Sequence, residues 1–185
     1  MVQKAANISL TEADRHTLEG VHNPFYRDAI LKMQENAQAA LKAVEGKAVI
    51  EKTPDVPVDK LFEALIAPYK GKVILVDFWN TWCGPCQAAI KDNEPLKSGE
   101  LKSDDLVWIY IANETSPLVT YKKQIGKIQG KHYRLNDEQW KYLCEQFKVD
   151  GIPSYVLVGR DGTGKLRNDL RNHDKLKKTL KKLIE

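Results

Sequence analysis

The sequence predicts an α/β protein, with a central sheet flanked by helices. Three observations carry this expectation. First, Val73-Ile-Leu-Val-Asp-Phe78 is a short apolar run rich in β-branched residues, the composition of a strand buried on both faces of a sheet. Second, two further apolar runs, Leu106–Ala112 and Tyr155–Val158, follow it. Third, segments with apolar residues at helical spacing lie between and around these runs. At 185 residues a single domain with a sizeable core is expected. The 42% hydrophobic and 29% charged residues suit a globular chain. A net charge of +4 is modest and does not demand nucleic acid. No apolar run approaches the ~20 residues of a membrane span. Three cysteines are too few to suggest a disulfide framework.

In chain order, residues 1–46 read as a helical N-terminal extension and residues 47–185 as the main domain. Ser9-Leu-Thr-Glu12 is a capping-box pattern opening a short helix up to Gly20. Asn23-Pro24 reads as an N-cap with proline at the first helical position. Tyr26, Ile30, Met33, Ala37, Ala40 and Val44 then recur at helical spacing, a face expected to pack over the domain, with Gly46 as C-cap. Lys47–Lys52, carrying Ala48, Val49 and Ile50, is a candidate first strand, and Thr53–Pro57 a turn. Val58, Leu61, Phe62, Leu65, Ile66 and Tyr69 form one helical face, closed by Lys70-Gly71-Lys72. After the 73–78 strand, a helix begins near Cys86, and Pro95 is expected to kink or end it.

Asn113–Ser116 turns the chain and Pro117 opens a helix to about Ile125. His132-Tyr-Arg-Leu135 is a candidate added strand. Asn136 caps a helix with Trp140, Leu143, Cys144 and Phe147 on one face. Arg160-Asp-Gly162 is a hairpin turn before a return strand at Lys165–Arg167. Leu176, Leu180, Leu183 and Ile184 mark a final helix starting near Asn172 or His173. Lysines 175, 177, 178, 181 and 182 surround it as a solvated face, not a membrane or nucleic-acid patch.

The chemistry concentrates at Cys83-Gly84-Pro85-Cys86, directly after the central strand. Gly84 permits a close turn, and Pro85 suits an early helical position. Cys83 would then sit at a helix N-terminus, where the macrodipole favours a thiolate. Cys86 lies one turn further on, within reach of a disulfide. A Cys-x-x-Cys so placed reads as a redox pair. Structural zinc asks for four ligands, with a second close pair. Cys144 stands alone, and His16, His22, His132 and His173 are scattered, so no metal is expected, and no cofactor beyond a redox-active Cys83–Cys86 disulfide. Cys144 itself reads as an inert core cysteine.

Trp82-Cys83-Gly84-Pro85-Cys86, Asp77 six residues before Cys83, and Gly151-Ile152-Pro153 before an apolar strand together resemble the thioredoxin superfamily. The added helix and short strand before Ile152-Pro153 resemble its extracytoplasmic TlpA/ResA-type reductases, over roughly residues 47–185. The resemblance implies a thioredoxin fold with a mixed sheet. It implies Cys83 as nucleophile, with a pKa near ~7, and Cys86 as the resolving thiol. Asp77, its pKa raised by desolvation, would take the Cys86 proton. Pro153 would be cis and face the cysteines, leaving the Ile152 N–H and C=O free for an extended substrate. Trp82, Gly84 and Pro85 would shape the substrate face, with Trp79 supporting the turn from inside. The sequence departs from thioredoxin at two places. Lys91 stands where a proline usually follows the second cysteine, and no lysine lies in Leu106–Ala112, where one usually approaches the buried Asp.

The expected function is therefore a protein thiol–disulfide oxidoreductase, acting as a reductase. Its partners would be a disulfide-containing protein substrate and an electron-donor thiol protein. A monomer is expected, with no nucleic acid and no membrane span. A non-catalytic peptide-binding or adaptor module is the alternative, disfavoured by the intact cysteine pair. Thiol peroxidase is a weaker rival, because Asn80 stands where its pattern places threonine. Met1–Asn7 lacks the apolar segment of a signal peptide. The expected compartment is periplasmic or otherwise extracytoplasmic if the chain is trimmed from a longer exported one, and cytoplasmic otherwise.

Overall fold

The structure, a computed structural model, describes residues 12–44 and 49–185. Two N-terminal helices, α1 (Glu12–Glu19) and α2 (Pro24–Val44), precede α3 (Leu61–Ile66) and β1 (Val73–Phe78). Then come α4 (Gly84–Ser98), β2 (Leu106–Asn113), α5 (Leu118–Ile125) and β3 (Lys131–Leu135). The chain closes with α6 (Asp137–Phe147), β4 (Ser154–Val158), β5 (Gly164–Leu166) and α7 (His173–Ile184).

The strands form one mixed sheet in the order β3-β2-β1-β4-β5. β1, β2 and β3 run parallel, while β4 is antiparallel to β1 and β5 to β4. β1 is central and all six of its residues are buried, which explains its unbroken apolar run. Side chains alternate across a strand. Val73 and Leu75 enter the core layer that holds Cys86 and Ile90 of α4 and Leu176 and Leu180 of α7. Ile74, Val76 and Phe78 enter the opposite layer with Leu61 and Leu65 of α3 and Leu143 of α6. By this alternation Asp77 lies on the α4 side of the sheet.

Most expected element ends follow from local chemistry. Asn136 caps α6 in a full capping box: its side chain accepts the Gln139 N–H, and the Gln139 side chain accepts the Asn136 N–H. Asn172 caps α7 without the reciprocal bond, its side chain accepting the Lys175 N–H at 2.9 Å. Gly162, at φ +82°, closes the β4–β5 hairpin with its N–H on the Gly159 carbonyl at 2.9 Å.

Two expectations are corrected and a third is narrowed. Residues 49–52 form no strand; the Glu51 N–H makes a single backbone bond to His132 of β3, at 2.8 Å. Ile50 packs against the core, so its apolar signal reports burial without pairing. Lys47 and Ala48 lie outside the described residues, as do Ser9 and Gly46. Asn23 does cap α2, its Oδ1 accepting the Phe25 N–H at 3.0 Å, and α2 lies against α5. The described part of its apolar face is largely exposed, however: Tyr26 is 60% and Met33 71% exposed, the half-buried positions among the described side chains are Gln34, Ala37 and Gln38, and the side chains of Ala40 and Val44 lie outside those described. Finally, Pro95 does not end α4, which runs on to Ser98. Pro95 has no N–H to offer the Lys91 carbonyl, and burial of Leu96 and Lys97 secures the last turn.

Candidate active site

The strand-to-helix turn after β1 is pinned to the loop between β2 and α5. The Trp79 N–H extends the ladder to the Ile111 carbonyl at 3.0 Å. The Asn80 side chain then accepts the Asn113 N–H at 3.1 Å and the Ser116 hydroxyl at 2.7 Å. Ser116 Oγ in turn accepts the Thr81 N–H at 3.0 Å. The Thr81 carbonyl accepts from the Gln87 and Gln124 amides. This buried polar tie was not evident in the sequence, because Ser116 lies 36 positions from Asn80. Trp79 is fully buried between the rings of Tyr110 and Tyr121, the inner support expected of it.

Cys83 and Cys86 are joined in a disulfide, with Cα atoms 5.3 Å apart. Cys83 is the N-cap of α4, and its Sγ accepts the Cys86 N–H at 3.2 Å, in the place where a capping side chain satisfies a free helix donor. Cys83 is 5% exposed and Cys86 0%. The expected exposed nucleophile is therefore largely covered in the disulfide form, its sulfur packed into the core layer. Gly84 and Pro85 beside it are exposed. A Cβ on Gly84 would meet open space, and its φ is not positive, so the turn does not itself require glycine there. Trp82 is 61% exposed yet fixed, its Nε1 donating to Thr115 Oγ1 at 2.9 Å.

The Ile152–Pro153 peptide is cis. Half-buried Ile152 packs against the core layer that contains both cysteines, and its backbone makes no hydrogen bond to the described residues. The loop is held from the C-terminal side. Arg171 donates to the Pro153 carbonyl at 2.7 Å and to Ser154 Oγ at 3.1 Å, and Ser154 donates to the Gly151 carbonyl at 2.6 Å. This clamp was not legible in the sequence, because Arg171 lies 18 positions from Pro153.

Asp77 is buried, and its Oδ1 has no hydrogen-bond partner. Two buried tyrosines flank it in register, Tyr110 on β2 and Tyr155 on β4. Burial pushes its pKa up to about 8, against the opposing pull of Lys97. Lys97 comes from the end of α4 and is itself buried. Its Nζ donates to the Glu94 carboxylate, the Tyr110 hydroxyl and, at 2.7 Å, the Gln129 carbonyl. It also lies 4.9 Å and 4.5 Å from the ring centroids of Trp108 and Tyr110. Burial lowers the Lys97 pKa, while Glu94 and then Asp77 favour its charged form. Gly130 allows the Gln129 loop to approach: a Cβ there would stand 2.8 Å from the Tyr110 ring. The lysine absent from Leu106–Ala112 is thus supplied by α4. A signal for it was present, since Cys86, Ile90, Asn93 and Lys97 follow a 4-3-4 spacing and share the buried face of the helix.

Cys144 is free and half-buried, packed against the edge of the core layer that holds Leu143. Burial pushes its thiol pKa up to about 11. Among the described residues no cluster of three or more His, Cys, Asp or Glu is arranged to hold a metal, and no helix is long and apolar enough to cross a membrane.

A mixed five-stranded sheet whose central strand leads into a Cys-x-x-Cys disulfide at a helix N-terminus defines a thioredoxin fold. The chain belongs to the thioredoxin-like family, whose model matches residues 71–163, half of the sequence. It is similar to thioredoxin Y1, chloroplastic, of Arabidopsis thaliana, 28% identical over 91 residues, 49% of this chain and 37% of that protein. It is also similar to the thiol:disulfide interchange protein CycY of Rhizobium leguminosarum bv. viciae, 29% identical over 97 residues, 52% of this chain and 50% of that protein. The chain spans half or less of the length of these curated relatives. Among solved structures, a candidate thiol-disulfide oxidoreductase from Bacteroides vulgatus matches with a TM-score of 0.52 at 25% identity, covering 64% of this chain and 82% of that one.

Proposed function

We propose that this chain is a thiol–disulfide oxidoreductase that reduces protein disulfides by dithiol–disulfide exchange. One observation carries the reading: the Cys83–Cys86 disulfide at the start of α4 shares a face of the sheet with a buried carboxyl that has an unpartnered oxygen. In the reduced protein the Cys83 thiolate attacks one sulfur of a substrate disulfide. A Cys83–substrate bond forms, and the other substrate sulfur leaves as a thiolate and takes a proton. Asp77 then accepts the Cys86 proton. The Cys86 thiolate displaces the substrate from Cys83, forming the intramolecular disulfide and releasing the second substrate thiol. Two electrons pass from the cysteine pair to the substrate, and a thiol electron-donor protein restores the dithiol. An extended substrate segment pairs with the free Ile152 backbone beside Trp82, Gly84 and Pro85. The catalytic unit is assigned to residues 47–185, with 1–46 as a helical extension.

Equilibration against glutathione buffers, with quantitation of free thiols, tests the direction of transfer. The expected midpoint lies near the thioredoxin value of about −270 mV, with turnover of insulin disulfides in the presence of a regenerating dithiol. A midpoint near about −120 mV contradicts a reductase and supports an oxidase. Absence of any turnover contradicts both.

A further inference from the structure

We propose that the groove between Trp82 and α6 is a substrate subsite that takes an apolar side chain followed by a cationic one, so that disulfide-containing segments with a basic flank are preferred. The proposal rests on the exchange reaction above and adds to it the class of substrate.

The groove is a depression of about 370 Å³ whose lining includes Trp82, next to Cys83 in the chain, and Ile152, packed against the core layer that holds the cysteines. Trp140 and Cys144 of α6 and Val149 contribute to its lining. Both indoles are held before any partner arrives. Trp82 is fixed through Thr115, whose hydroxyl donates to Asn113 Oδ1 at 2.5 Å. Trp140 packs edge-on against Phe78, with centroids 5.6 Å apart. An exposed aromatic fixed in place loses little entropy on binding, the property that makes such residues anchors for a partner. The raised pKa of Cys144 keeps it a neutral, weakly nucleophilic part of the lining.

Charge selects the neighbouring position. Glu145 and Asp150 line the groove, both exposed and neither with an ion-pair partner among the described residues. The one lysine of the lining, Lys141, pairs with Asp137 at 2.7 Å and is also drawn by Glu145, and Lys148, next along the chain, is not part of the lining. The lining thus carries two carboxylates to one ammonium, an excess of one negative charge on a chain whose net charge is +4. Rim charges of this kind act through specificity and encounter rate, which fits selection of a basic segment.

Two peptides test this, each containing one disulfide loop flanked by Phe-Lys or by Phe-Glu, together with serine analogues that cannot be reduced. Wild-type protein is expected to reduce the Phe-Lys peptide with a kcat/KM about 3- to 10-fold above the Phe-Glu peptide. It is expected to bind the Phe-Lys serine analogue more tightly, read by tryptophan fluorescence. The double variant Glu145→Lys/Asp150→Lys is expected to invert both preferences, and a ratio within one variant is insensitive to its folded fraction. Reduction of hydroxyethyl disulfide without any preference between the peptides overturns the subsite, as does a preference that the double variant retains. Charge-dependent binding of the serine analogues without reduction of any disulfide overturns the redox reading and leaves the subsite standing.

Discussion

Lys97 bonds through its Nζ to the hydroxyl of Tyr110, the residue in register with Asp77 on the neighbouring strand. A cation from the far end of α4 is thereby brought to the buried carboxyl that lies on the same side of the sheet as Cys86. The two groups oppose each other's desolvation, since Lys97 draws the Asp77 pKa down and Asp77 draws the Lys97 pKa up.

Replacing Lys97 with glutamine keeps a donor for Tyr110 and Gln129 but removes the charge. The proton affinity of Asp77 is expected to rise. The pH at which resolution of the mixed disulfide reaches half its plateau moves upward by about one pH unit. Stopped-flow kinetics of the second step across neutral pH give the profile. A folded Lys97→Gln variant with an unmoved profile would reduce Lys97 to a packing residue.

Asp77 also sets a pH dependence of stability. Its folded pKa of about 8 lies above the ordinary 3.8, so between these values the folded chain binds a proton that the unfolded chain has lost. Its contribution to stability is therefore present below about 4, falls as pH rises through that window, and is flat above about 8. Asp77→Asn removes the slope. Urea unfolding of the oxidised protein near pH 8.5 is expected to show the variant more stable than wild type by about 2–5 kcal/mol, with the gap closing toward about pH 4. A constant gap across this range would contradict the burial of an ionisable carboxyl.

Cys144 is expected to remain a thiol while the other two cysteines cycle. With its pKa near 11 only ~10⁻⁴ of it is thiolate at neutral pH, and it is half-buried besides. Alkylation of the reduced protein followed by mass mapping should label Cys83 at least about tenfold faster. Faster labelling of Cys144, or a disulfide from it to either neighbour, would show a third redox thiol.

The parts of the fold visible in the sequence are those governed by local chemistry. The apolar run of β1, the caps at Asn23, Asn136 and Asn172, and the cysteine pair opening a helix each follow from a few adjacent residues. What was not visible depends on distant partners. The spacing of α4 puts Lys97 on its buried face, but the groups that enclose it, Trp108, Tyr110 and the Gln129 loop, come from distant sequence. Arg171 reads as a loop residue until the chain returns it to the Pro153 carbonyl. Ile50 reads as part of a strand because burial and pairing leave the same apolar trace, and only the paired backbone separates them, while its neighbour Val49 is exposed. The apolar residues of α2 misled for the converse reason: helical spacing predicts a face, not what that face meets.

The division of labour between the two cysteines is tested most directly by trapping the mixed disulfide. Cys86→Ser and Cys83→Ser variants are each reduced, mixed with a protein substrate carrying one disulfide, and resolved under non-reducing conditions. Cys86, at 0% exposure, is placed to attack only the adjacent Cys83 sulfur. The Cys86→Ser variant is therefore expected to accumulate a substrate adduct at Cys83 that persists until an external thiol arrives. The Cys83→Ser variant is expected to form little adduct, at a rate at least about 100-fold lower. Equal trapping by the two variants, or an adduct on Cys86 in the Cys83→Ser protein at the same rate, would contradict Cys83 as nucleophile and Cys86 as the resolving thiol.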